Sequence, residues 1–183
     1  MRPYTNNHTL CLILLIFINP FYPYSASLNY IFKSGSDGYN TFRIPSLVTT
    51  SSGVVLAFAE GRKNSSSDSG DIDIVLKRSL DGGNSWGDMI IIRDDGLNVC
   101  GNPSPVIDER NGKIFLLSTW NKGDDSESEI INMKSMDTRR VYLMSSEDEG
   151  LTWSKPKEIT ESVKKPNWTW YCLLYTSPSP RDH

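Results

Sequence analysis

The sequence predicts an all-β protein. Its apolar segments are short, rich in Val, Ile, Leu and Phe, and bounded by turn residues, with no long stretch of helical period. Two tight acidic turns repeat: Ser79-Leu80-Asp81-Gly82-Gly83-Asn84-Ser85-Trp86 and Ser146-Glu147-Asp148-Glu149-Gly150-Leu151-Thr152-Trp153 both read S-x-D-x-G-x-[ST]-W. Recurrence of one turn at a fixed period signals a repeat architecture. The formal net charge of -3 over 183 residues, with basic residues scattered, leaves a nucleic-acid partner without an electrostatic footprint.

Taken in chain order, residues 1–27 read as a secretory signal. "MRPYTNNHT" carries one Arg and no acid, "LCLILLIFI" has the length of a signal core, and "YSAS" supplies small residues for cleavage. The run is too short to span a bilayer comfortably, so no stable membrane span is expected and a secreted or lumenal location is. "SLVTT" and "VVLAFAE" read as strands around the turn at Ser51-Ser52-Gly53. "DIDIVLKRS" leads into the first acidic turn, with Asp71 and Asp73 sharing one face in a structural or solvated role. "SPVID" and "KIFLLSTW" flank "ERNG", whose Asn111-Gly112 is a hairpin signal. The segment from Asn121 to Arg140 is expected to be a solvated loop, and "RRVYLMSS" a strand before the second turn. Cys100 and Cys172 form no disulfide framework and no zinc spacing, so no metal is expected. The sequons at Asn64 and Asn167 suit export, and chance accounts for them equally well.

The acidic turns have a legible job. Asp accepts N–H bonds across the turn, Gly takes a conformation closed to other residues, and Trp packs beneath. Asp81, Gly83, Trp86, Asp148, Gly150 and Trp153 are therefore read as structural. This turn is the Asp box. With "FRIP", "AFAEGR…SSSDSGDIDIV" and "GNPSPVID", the stretch from Tyr39 to Tyr171 resembles the amino-terminal part of a secreted sialidase (neuraminidase) of the bacterial and animal type.

That resemblance implies a six-bladed β-propeller of four-stranded antiparallel blades, with the Asp box between the third and fourth strands of each. Two boxes amount to about two to three blades, so residues 28–171 are expected to be the first part of such a propeller. Residues 172–183, "CLLYTSPSPRDH", read as a tail foreign to the family, from a frameshift or a join. The implied activity is exo-α-sialidase, acting with retention and without cofactor on sialylated glycoproteins, glycolipids or oligosaccharides, with this fragment inactive alone. A non-catalytic sialoglycan-binding propeller and a trans-sialidase are the alternatives.

By the same resemblance, Arg43 belongs to a clamp on the sugar carboxylate, a task that suits a permanently charged two-pronged guanidinium. A surface pairing of Arg43 with an acid is the competing reading. Asp68, six residues after Arg62 in a small-residue loop, corresponds to the general acid/base. Arg62 would contact the sugar near its C4 hydroxyl, with Glu60 orienting it from the same strand face, although a plain ion pair fits equally well. Asn102 lines the pocket for ring substituents. Trp120 reads as a sugar platform or, more commonly, a packed Trp. Arg139 and Arg140 receive no role, and Tyr39, Tyr142 and Tyr171 match no nucleophile position.

Overall fold

The computed structural model describes residues 29–176. The expected signal, residues 1–27, and the last part of the expected tail lie outside them. Within the described residues, β1 (Thr41–Thr49), β2 (Val55–Arg62), β3 (Ile72–Ser79) and β4 (Ile90–Arg93) pair in an antiparallel unit. A second such unit follows with β5 (Val99–Asp108), β6 (Lys113–Asn121), β7 (Arg140–Ser146) and β8 (Lys157–Glu158). One parallel pair, Ile72 with Val99, links the units into an open sheet. Three short helices, α1 (Glu127–Ile131), α2 (Thr160–Val163) and α3 (Leu173–Thr176), complete an otherwise all-β fold.

Period-2 alternation decides which side chains meet. Leu56, Phe58, Ile74 and Leu76 of the first unit face Ile114, Leu116 and Met144 of the second, all at most 1% exposed. Each such side chain contributes about 1.5–3 kcal/mol relative to exposure, so this contact holds the units together. Cys100 is a free thiol in the same cluster, and its burial pushes its pKa up to about 12. The opposite face of the first unit buries Tyr39, Ala59 and Val75 against Phe32, Phe42 and Met89.

The Asp boxes lie where β3 turns into β4 and β7 into β8, and their bonding is the same. Asp81 Oδ1 accepts from Ser85 N–H at 2.8 Å and Asp148 Oδ1 from Thr152 N–H at 2.8 Å. The Ser79 and Ser146 hydroxyls accept from Gly83 and Gly150 N–H at 2.8 and 2.9 Å. Gly150, at φ +81°, sits against Leu56 and Leu76, so the second box docks on the first unit's core. Trp153 completes that contact edge-on to Phe58, with ring centroids 5.9 Å apart.

The leading strand of each unit carries the same irregularity. In β1 the register slips between Arg43 and Ser46, with Ile44 at φ 52°; in β5 it slips between Gly101 and Ser104, with Asn102 at φ 50°. Pro follows in both, as Pro45 and Pro103, where a missing N–H suits a bulge. A β-branched residue in the left-handed region is strained. Ser46 Oγ donates to Pro103 O at 2.7 Å, tying the two bulges together.

Ile90–Arg93 forms β4, so a fourth strand follows the first Asp box, as the resemblance implied. One expectation is corrected. The Asn121–Arg140 segment is not simply a solvated loop. Its α1 opens on a capping box between Ser126 and Glu129, Ile130 is 2% exposed, and buried Asp125 accepts from the N–H groups of Met136 and Asp137.

Candidate functional site

Antiparallel pairing sets the start of β1 beside the end of β2 and the start of β3, and the start of β5 beside the end of β6 and the start of β7. All these ends lie on one side of the sheet, opposite the Asp boxes. They enclose a cleft of about 220 Å³ lined by Arg43, Glu60, Arg62, Asp68, Asn102 and Arg139, among others. The five residues singled out from sequence thus line one cavity, and Arg139 joins them.

Arg62 and Glu60 form the buried base, each side chain 3% exposed. Glu60 Oε2 accepts from Arg62 Nε at 3.1 Å and Nη2 at 2.5 Å. Glu60 Oε1 turns to the second unit, accepting from Asn102 N–H at 2.8 Å and Asn102 Nδ2 at 3.1 Å. Gly101 is required for that approach, because a Cβ there would stand 2.7 Å from Glu60 Oε1.

Arg62 also shapes the loop that bears Asp68. Its Nη1 donates to the carbonyls of Ser66 and Ser67 at 2.6 and 2.7 Å, and its Nη2 to Asp68 Oδ1 at 2.6 Å. All five N–H bonds of Arg62 are therefore engaged within the protein. Arg62 acts here as the anchor of the loop, and no donor remains for a sugar hydroxyl without rearrangement.

Arg43 and Asp68 stand at the rim, with side chains 43% and 47% exposed and Nη1 3.1 Å from Oδ1. Arg43 Nη1 also donates to Ser66 O at 3.2 Å. The pairing with an acid read from sequence is thus present, in a residue that also lines the cleft. At this exposure the pair is worth about 0–1 kcal/mol, so a ligand anion can replace Asp68 on Arg43 at little cost.

Below the loop, Lys63 holds Asp71 and Asp73 at 3.1 Å each. Tyr39 donates its hydroxyl to Asp73 at 2.6 Å, so Asp73, fully buried, is structural rather than solvated. Burial, first, and its three neighbouring acids hold the Tyr39 hydroxyl in its neutral form. Gly61 makes room for the Tyr39 ring, which a Cβ would meet at 2.7 Å. Trp120 donates its indole N–H to Asp95 at 2.6 Å, a packing role.

Arg139, which received no role from sequence, is 3% exposed. It donates through Nε to Tyr171 O at 3.1 Å, through Nη1 to Asn121 Oδ1 at 2.5 Å and through Nη2 to Asn102 Oδ1 at 3.4 Å. Its guanidinium lies 3.9 Å from the Trp170 ring. Burial pulls its pKa down, opposed by the charge of Glu60. Burial also raises the Tyr171 hydroxyl to about 12 as it donates to Arg139 O at 3.0 Å. The one signal available in sequence was topological: Arg139 enters β7 at the same end of the sheet at which Asp71 enters β3. A larger cavity, about 590 Å³ beside Leu117 and Val141, carries no carboxylate.

Comparison with known proteins agrees with this architecture. Residues 53–179 match the family described as BNR repeat-like domain. An exo-alpha-sialidase of Aspergillus fumigatus is 36% identical over 150 residues, covering 73% of this chain and 37% of its own length. A sialidase of Bacteroides fragilis is 36% identical, covering 77% of this chain and 28% of its own length. Among solved structures, the Hadza microbial sialidase Hz136 superposes with a TM-score of 0.67 at 37% identity, covering 74% of this chain and 29% of that one. The leech intramolecular trans-sialidase shares the fold alone, with a TM-score of 0.65 at 16% identity over 74% of this chain and 37% of that one. The chain thus spans between a quarter and two fifths of the length of these three sialidases. The match over residues 53–179 places the chain in the BNR repeat-like domain family, and the relatives it resembles there are sialidases.

Proposed function

We propose that the protein to which this chain belongs is a secreted exo-α-sialidase that releases terminal sialic acids from glycoproteins, glycolipids or oligosaccharides with retention. The observation that carries this reading is the convergence of Arg43 and Asp68, 3.1 Å apart, at the mouth of a cleft floored by a buried Arg62–Glu60 pair. An anionic sugar needs a cation to grip it and an acid to protonate its leaving oxygen, and the two stand side by side.

In this account the sugar carboxylate takes the Arg43 guanidinium, whose Nε and Nη2 face no acceptor among the described residues. Asp68 is then left with Arg62 as its remaining guanidinium partner, and its carboxyl turns to the glycosidic oxygen. It delivers a proton as that bond breaks and later removes one from the attacking water. Glu60 keeps Arg62 in place, and Asn102 lines the wall facing the ring substituents. The two described units would be the first blades of a six-bladed ring, and the nucleophile with the remaining carboxylate-binding arginines would come from other blades. Residues 1–27 would direct export.

Incubation of the complete protein with an aryl α-sialoside tests the reading. Release of free sugar, appearing first as the α-anomer by proton NMR, is the expected result. Initial appearance of the β-anomer contradicts the retaining mechanism, and absence of turnover contradicts the enzymatic assignment. This chain by itself is expected to release none.

A further inference from the structure

We infer that Arg139 is a ligand-binding residue of the cleft, taking a neutral oxygen, hydroxyl or carbonyl, on the ring or side chain of the acidic sugar. The buried floor holds two guanidiniums, Arg62 and Arg139, against one carboxylate, Glu60, each at most 3% exposed. Glu60 is bonded to Arg62 and Asn102, and among the described residues no carboxylate lies within ion-pair distance of Arg139. A buried cation in that position is costly unless its donors are satisfied.

Of its five N–H bonds, one reaches Tyr171 O, one Asn121 Oδ1 and one, at a long 3.4 Å, Asn102 Oδ1. The remaining two have no acceptor among the described residues. They belong to the terminal nitrogens, in a side chain that lines the cleft. Arg62 has no such spare donors, and Arg43 sits at the rim rather than the floor.

The partner is neutral rather than a second anion for two reasons. The Trp170 face, 3.9 Å away, offsets part of the charge. The sugar has one carboxylate, and Arg43 at the rim takes it, so the part of the molecule that reaches the floor is uncharged. Hydroxyl and carbonyl oxygens of that part supply the lone pairs for the two free donors. Arg139 thereby divides the work with Arg43: the rim arginine holds the carboxylate, and the floor arginine reads how much oxygen the rest of the sugar presents.

This inference rests on the sialidase reading, and one titration separates the two. The Nε–Hε cross-peaks of Arg43, Arg62 and Arg139 are followed in the 15N-labelled complete protein on addition of N-acetylneuraminic acid, and separately of sodium acetate. The sugar is expected to move Arg139 and Arg43 saturably with one Kd, and acetate to move Arg43 alone. Arg139→Met is expected to weaken sugar binding by about tenfold or more, as for a lost hydrogen bond to a charged group. An Arg139 peak that stays still while Arg43 moves overturns the inference and leaves the sialidase reading intact, as does an Arg139→Met variant that binds as tightly as wild type. Movement of Arg139 by acetate overturns it too, because Arg139 would then be a carboxylate site. Absence of any binding overturns both. The wild-type cross-peaks decide the matter even if the variant fails to fold.

Discussion

Glu60 joins the two units at the level of single atoms, one oxygen on Arg62 and the other on Asn102. Removing it leaves the buried Arg62 with only the half-exposed Asp68 as counter-ion and takes the acceptor from Asn102 N–H, so Glu60→Ala should cost about 3–5 kcal/mol. Urea unfolding at constant m-value measures this, and a loss below about 1 kcal/mol would show that the pair is dispensable. The Asp-box carboxylates predict a pH dependence. Accepting bonds from Ser85 and Ser79, and from Thr152 and Ser146, holds Asp81 and Asp148 at about 2. The unfolded state, with ordinary carboxyls near 4, binds more protons between those values, so stability rises with pH there. The boxes' contribution should be complete above about pH 4 and lost as pH falls through about 2. An Asp148→Asn variant should therefore differ from wild type in its urea midpoint at pH 6 and approach it at pH 2. Arg43, Glu60, Arg62, Asp68 and Asn102 could be singled out in sequence because each falls within a motif that carries the resemblance to sialidases. Arg139 was not singled out, because "RR" before a strand reads equally as a solvated pair, and only its contacts with Asn102 and Trp170 give it direction.

Elements, rather than residues, place the cleft. The strands of the first unit were readable from alternation and turn residues, whereas β4 has only four residues and β8 two, lengths at which period carries no information. The matched bulges of β1 and β5 were visible as "RIPS" and "GNPS", but their meaning needed the left-handed backbone at Ile44 and Asn102. The helix α1 was missed in a segment rich in polar residues, although Ser126 and Glu129, three residues apart before Ile130-Ile131, form a capping-box pattern. Its loop docks on its neighbours: Gly70 N–H donates to Gly123 O at 2.9 Å, and Gly123 N–H to Asn98 Oδ1 at 3.2 Å. A Cβ on Gly123 would fall 1.8 Å from Leu97 O, which is backbone and cannot swing aside. Gly123→Ala should therefore cost at least about 1–3 kcal/mol, the range for overpacking, and raise amide exchange across residues 63–71. Unchanged exchange in that loop would mean the docking does not support Asp68.

At the scale of the molecule, the candidate site and the Asp-box turns occupy opposite ends of the sheet. Turns that need fixed hydrogen bonds and tryptophans lie at one end, while the other end is left to polar side chains at six strand termini and the loops beside them. This division lets the Asp68 loop be held by Arg62 without involving the apolar core between the units. The resemblance to sialidases was readable because FRIP, EGR and the Asp boxes keep their order. The interunit contact was not, since nothing in a strand's own alternation says which face meets the next unit. The most direct test of the central claim, that Asp68 supplies the proton beside the arginine that grips the sugar, is leaving-group dependence in the complete protein. Turnover of sialyllactose and of an aryl sialoside is compared between wild type and Asp68→Asn. Loss of about 10²–10⁴-fold on sialyllactose, with a much smaller loss on the aryl substrate whose leaving group needs no proton, is the predicted result. Equal losses on both substrates, or none, would contradict it.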